Sequence, residues 1–104
     1  MKPLAFVGSA REDLKSFPDD ARKTAGFELW MVQDGQEPSD WKPMTAVGPG
    51  TFEIRIHAGG EWRILYVAKY ADAIYVLHAF QKKTQKTSPR DIELARKRYQ
   101  EIAK

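Results

Sequence analysis

Nothing in this sequence leaves the backbone less freedom than residues 52–80, which read as three consecutive strands separated by two turns. Phe52, Ile54 and Ile56 alternate with Glu53, Arg55 and His57, the period of two that a sheet with one buried face requires. Gly59-Gly60 supplies the positive φ of a tight hairpin turn. Trp62 to Lys69 is rich in aromatic and β-branched residues, Tyr70-Ala71-Asp72-Ala73 reads as a second turn, and Ile74 to Phe80 is a near-continuous apolar run. The pattern predicts an antiparallel meander over roughly residues 51–80.

Helical patterns flank this block, so the fold class is α+β. Leu4 to Val7 reads as a short strand ended by Gly8. Ser9-Ala10-Arg11-Glu12 has the spacing of a capping box opening a short helix, with Leu14 and Phe17 inward. Pro18-Asp19-Asp20 suits the first turn of a second helix over roughly residues 18–34, where Ala21, Ala25, Leu29 and Val32 form one apolar stripe and Gly35 the stop. Gln36 to Gly50, with Pro38, Pro43 and Pro49, reads as a surface loop pinned by Trp41 and Met44. Ser88-Pro89-Arg90-Asp91 combines an N-cap, a proline at the first helical position and an acid three residues after the cap. The helix it opens buries Ile92, Ala95, Tyr99 and Ile102, and Arg96, Lys97, Arg98 and Lys104 add cations to its last turns. With 104 residues, no internal repeat and no linker-like stretch, residues 1–104 are expected to form one domain.

Composition narrows the chemistry. The absence of cysteine excludes disulfides, thiolate nucleophiles and Cys-ligated metals, and two histidines leave a His-based metal site dependent on carboxylates. The expectation is no metal and no cofactor. The N-terminal apolar stretch is too short for a signal-peptide core or a membrane span, which points to a soluble cytoplasmic protein. Charge is uneven: residues 1–50 carry 6 Lys/Arg against 8 Asp/Glu, whereas residues 51–104 carry 11 against 6. A basic second half suggests a phosphate-bearing or acidic partner.

Phosphate-loop, nucleophile-elbow and His-x-x-x-His patterns are all missing. What remains is Glu53, Arg55 and His57 on one strand, Arg63 beyond the hairpin, His78 in the third strand, and Lys82, Lys83 and Lys86 at its exit. Pairing about Gly59-Gly60 sets Arg55 opposite Arg63, and the exit lysines can close a cationic pocket. Such a pocket suits attack of an RNA 2′-hydroxyl on its neighbouring phosphate, because guanidinium and ammonium groups stabilise the charge that develops on phosphorus-bound oxygens. Arg55, Arg63, Lys82 and Lys83 are the candidate catalytic residues. Lys86, His57 and Glu53 are candidate RNA contacts, with Glu53 and His57 also candidate bases. The plainer reading pairs the arginines with Glu53 or Glu61, solvates the lysines, puts His57 at the surface and makes His78 a hydrogen-bonded core residue. Tyr66, Tyr70 and Tyr75 could stack on bases, although strand tyrosines more often pack.

The strands Phe52-Glu53-Ile54-Arg55-Ile56 and Trp62-Arg63-Ile64-Leu65-Tyr66, the string Leu77-His78-Ala79-Phe80-Gln81-Lys82-Lys83-Thr84-Gln85-Lys86-Thr87, and the helix Asp91 to Tyr99 closely resemble the phage-derived Gp49-like family, in the HigB branch of the RelE/ParE toxin superfamily. The resemblance spans essentially the whole chain. It implies a RelE-like fold, a twisted antiparallel sheet with two N-terminal helices packed on it and a C-terminal helix. It also implies a type II toxin that cleaves messenger RNA on the ribosome without metal, neutralised by a helix-turn-helix, HigA-like antitoxin. By position, Arg55 and Arg63 match basic residues of the RelE groove, and Lys82 or Lys83 the basic residue at the end of the last strand. Glu53 stands where RelE has a basic residue, and no tyrosine precedes Tyr99 after the last strand. The resemblance therefore also admits a ParE-like toxin directed at DNA gyrase, or an inactive member that only binds an antitoxin.

Overall fold

A computed structural model describes residues 1–103, and Lys104 lies outside the described residues. In chain order the elements are β1 (Leu4–Phe6), α1 (Ala10–Lys15), α2 (Asp19–Gln33), β2 (Trp41–Pro43), β3 (Thr51–His57), β4 (Glu61–Val67), β5 (Ile74–Gln81) and α3 (Pro89–Ile102). The strands form one sheet in the order β1-β5-β4-β3-β2. The meander β3-β4-β5 is antiparallel, as its alternation predicts, and Gly59 and Gly60 adopt φ of 63° and 148° at the hairpin.

Two features of the sheet depart from the sequence reading. β1 pairs with β5 in parallel, Leu4 opposite Ile74, which makes the sheet mixed. The stretch read as loop contains β2, antiparallel to β3 with Lys42 opposite Glu53. Three residues ending in a proline carry no alternation to read, and the proline suits an edge strand, where its missing donor costs nothing.

Each face of the sheet carries its own apolar core. On one face Ala21, Ala25, Leu29 and Val32 of α2, with Ala10 and Phe17, pack on Ile54, Ile56, Ile64, Tyr66, Ile74 and Val76. On the other, Ala95 and Tyr99 of α3 pack on Leu65, Val67 and Leu77 with Met44 and Val47 of the 44–50 segment. The N-terminal helices thus cover one face and α3 part of the other.

The register of β4 with β5 slips between Leu65 and Tyr66, which face His78 and Val76 and leave Leu77 unmatched. This bulge turns both Leu77 and His78 toward α3, a displacement that strict alternation cannot show. Arg98 answers it. Its side chain is buried and donates to the Leu77 carbonyl at 2.8 Å and to Ser9 Oγ at 2.9 Å. Arg98 is therefore a brace between α3, the bulge and the start of α1, rather than the dipole-facing surface cation its position suggests.

The capping signals fare differently. Ser88 Oγ accepts from Asp91 N at 3.1 Å and donates to Asp91 Oδ2 at 2.7 Å, so the α3 start is as expected. Ser9 makes no cap bond. Its hydroxyl instead donates to Asp13 Oδ2 at 2.8 Å, leaving the predicted reciprocal box with Glu12 unformed. Among the described residues no helix is long and apolar enough to cross a membrane.

Two glycines separate packing from propensity. A Cβ added at Gly48 would lie 2.7 Å from Tyr99 ring atoms, in a buried spot where Tyr99 also donates to the Pro49 carbonyl, whereas one at Gly26 on α2 meets nothing within 4 Å. Gly48→Ala is expected to lower stability by roughly 1–3 kcal/mol. Gly26→Ala is expected to raise it by about 0.5–1 kcal/mol. Urea unfolding of the two variants beside the parent chain measures both.

Candidate nucleic-acid interface

The α3 face of the sheet is apolar only where α3 covers it. Beyond the helix start, β2, β3 and β4 present Lys42, Glu53, Arg55, Arg63, His57 and Glu61 in adjacent register, with Arg55 directly opposite Arg63 and His57 opposite Glu61. Alternation aims these side chains away from the α2 core; Glu53 and Arg63 are buried there, whereas Lys42, Arg55, His57 and Glu61 keep part of their surface in solvent.

At the centre stands Glu53, with 0% of its side chain exposed. Its Oε1 accepts from Arg55 Nε at 3.5 Å and lies 3.8 Å from both Arg63 Nε and Lys42 Nζ, while its Oε2 accepts from Thr87 Oγ1 at 3.1 Å. Expected as an RNA contact or a base, Glu53 is enclosed by its protein neighbours. A carboxylate sealed among three cations offsets their mutual repulsion.

Arg63, expected among the catalytic residues, is turned under the surface at 5% exposure. It donates to the Trp62 carbonyl and to Glu61 Oε1, both at 3.0 Å, and its buried Nε has no hydrogen-bond partner. Its fork is committed to the protein, so it positions the two glutamates instead of presenting itself outward. Arg55 and Lys42 are only partly covered and face solvent beside it.

Lys82 joins this group from the exit of β5. Its ammonium is held below the ordinary lysine range first by partial burial and then by the Arg63 charge, with Glu53 pulling it back up and Lys42 and Arg55 adding smaller downward effects. Lys42, Arg55, Arg63 and Lys82 thus gather four positive charges about the one buried carboxylate of Glu53. Lys83 and Lys86 are exposed on the 82–88 connection, and neither makes an ion pair among the described residues. Lys42 was missed in the sequence because it sits in a proline-rich stretch; only its pairing with Glu53 across β2 and β3 brings it here.

His57 is at the surface, as the plainer reading has it, but it is not idle. Its Nε2 lies 2.7 Å from Asp40 Oδ2 and its Nδ1 2.8 Å from Glu61 Oε2. Carboxylates only accept, so satisfying both ring nitrogens takes the doubly protonated imidazolium. Those two hydrogen bonds raise the His57 pKa above 6.5, and the bonds from His57 and Arg63 lower that of Glu61. The network runs in alternating sign from Asp40 through His57, Glu61 and Arg63 to Glu53.

His78, the other histidine, is buried, with its Nε2 2.7 Å from Asp91 Oδ1 and its ring stacked on Phe80 at 4.6 Å. It ties β5 to the first turn of α3 and is the hydrogen-bonded core residue that the plainer reading describes. Tyr66 faces the α2 core. Tyr75 donates to Asp72 at 2.6 Å and packs edge-on against Tyr70, so none of the three tyrosines lines the cationic face.

Glu53→Ala would leave Arg63 buried with one partner fewer and bring Lys42, Arg55 and Arg63 together uncompensated. The expected cost is roughly 3–5 kcal/mol of stability, since breaking a buried ionic cluster strands charge. Adding inorganic phosphate or a short oligonucleotide should recover part of that loss, and thermal melts with and without the anion provide the check.

A search of curated proteins finds no match. Among protein families, residues 12–100 match the one described as Phage derived protein Gp49-like (DUF891). That span takes in α2, the meander, the whole cationic face and all but the last turn of α3, and the chain belongs to the Gp49-like family.

Proposed function

We propose that this chain is the toxin of a type II toxin-antitoxin module and cleaves messenger RNA on the ribosome, held in check by a helix-turn-helix, HigA-like antitoxin. Membership of the Gp49-like family supports this reading through the resemblance of that family to RelE/HigB-type toxins. The observation that carries it is the cationic face, where Lys42, Arg55, Arg63 and Lys82 gather about one sealed carboxylate and leave positive potential facing solvent.

In this reading Arg55 and Lys82 hold the non-bridging oxygens of the scissile phosphate, and Lys42 adds a third charge from β2. Lys83 and Lys86 hold the neighbouring backbone from the exit loop. The ribose 2′-oxygen attacks phosphorus, the bond to the 5′-oxygen breaks, and the products are a 2′,3′-cyclic phosphate and a free 5′-hydroxyl. Catalysis comes from cations placed where charge develops, so no metal is required by this scheme. His57, favoured as imidazolium by Asp40 and Glu61 with both ring N–H groups bonded to them, adds a fixed positive charge beside the scissile phosphate rather than acting as a base, and the departing 5′-oxygen takes its proton from solvent water. The proton of the attacking hydroxyl passes to solvent water.

Induction in cells should arrest growth and produce new 5′ ends by primer extension within abundant messages, while plasmid supercoiling stays normal. Altered supercoiling with intact messages would replace this reading by a gyrase poison. Arg55→Ala is expected to lower cleavage by about a hundredfold or more, near 3 kcal/mol at the barrier, with a much smaller effect on RNA binding. Arg55→Lys keeps the charge and loses the fork, so a large loss there identifies bidentate contact.

The pH profile gives a separate readout. His57 titrates above 6.5, so a required imidazolium predicts cleavage that is full below that range and falls as pH rises through the raised pKa. His57→Gln should lower the rate and flatten that limb. Its stabilising bonds follow the same direction, present below 6.5 and lost as pH rises through the folded-state value.

A further inference from the structure

We propose that the chain pairs with a second copy of itself through the outer face of α2, the two helices running antiparallel. Phe27 and Trp30 are 54% and 46% exposed and stack on each other at 6.2 Å, the large aromatic surface that the fold leaves uncovered among the described residues. They do not stand alone. Lys23, Phe27, Trp30 and the C-cap residue Asp34 follow one another at spacings of four, three and four, on the side of α2 opposite Ala21, Ala25, Leu29 and Val32. That is the spacing of a helix-pairing seam.

The seam is complementary to its own reverse. Two copies related by a two-fold axis through its middle set Phe27 against the partner copy's Trp30, and Lys23 against its Asp34, each contact occurring twice. The same operation brings Gly26, where an added Cβ would meet nothing within 4 Å, against Met31, so a half-exposed thioether faces an open notch. Asp20, the next position along, reaches past the end of the partner helix, which stops at Gln33. Asp34 already accepts from Gln36 Nε2 at 2.7 Å and keeps lone pairs for a lysine, and Lys23 makes no ion pair among the described residues. A partner of unrelated sequence would place no such demand on the order of charges along α2; a second copy does.

Pairing here leaves the chemistry open. α2 covers the sheet face opposite the one that carries Arg55 and Lys82, so a dimer presents two cationic faces on its outer sides. A single pair of short helices buries little area, and the dimer should be weak and dissolve on dilution.

Sedimentation equilibrium of the purified full chain tests the proposal. The parent should be substantially dimeric at about 100 μM and monomeric at about 1 μM. Lys23→Glu or Asp34→Lys alone sets like charges together twice and should weaken association about tenfold, and the two combined should restore it. Phe27→Ser with Trp30→Ser should abolish it with thermal melts of the monomer unchanged. A chain that stays monomeric at about 100 μM, a dimer that survives loss of both aromatics, or a combined charge exchange no better than either single one would each overturn the proposal.

Discussion

A carboxylate with no exposed surface, shared by Lys42, Arg55 and Arg63 and hydrogen-bonded by Thr87, organises the working face of this protein. Charged groups repel one another and prefer water, so strands carrying lysine and arginine side by side would splay their side chains outward. Glu53 offsets that repulsion from beneath. Its position in the middle of β3 lets it reach β2 on one side, β4 on the other and the loop leading to α3 above. A buried ion cluster is a poor source of stability compared with an apolar core of the same volume. Its persistence here is better understood as placement: it fixes where positive charge emerges and leaves an excess of it.

The two sheet faces divide the labour. The α2 face is packed with apolar side chains beneath α1 and α2. The apolar cluster under α3 takes up only part of the other face, and beyond it alternation delivers Glu53, Arg55, His57, Glu61 and Arg63. The boundary between these two parts is held by polar ties to α3 and its leader, His78 with Asp91, Ser88 with the first turn, and Thr87 with Glu53. Those contacts bring the 82–88 connection, with Lys82, close to the strand arginines.

Local signals made the meander, the α2 stripe and the α3 cap legible, because alternation, a helical period and a Ser-Pro start each act over a few residues. The opposition of Arg55 and Arg63 also followed from local logic, since a two-glycine turn fixes hairpin register. What escaped depends on contacts distant in sequence. The parallel pairing of β1 is decided by β5, and β2 exists only because β3 offers it a ladder. Burial separated residues that look equivalent on the page: Glu53 and Arg63 sink while Arg55 stays half exposed. The strand pattern assigns all three to one face and says nothing of depth. Arg98 was misread for the same reason, since a bulge in β5 created the carbonyl it serves.

The parallel strand β1 has a consequence for the order in which the molecule can be assembled. Leu4 finds its neighbour only at Ile74, and Glu53 its threonine only at Thr87, so the first strand and the charged face both wait for the last third of the chain. A hairpin of β3 and β4 can form as soon as those residues are available, but its cations are then unordered and the edge meant for β5 stands open. During synthesis the chain therefore carries neither its full sheet nor its gathered charges. On the proposed reading, a protein that acts on ribosomes gains its working face only once the segment through Thr87 has emerged from the one that makes it.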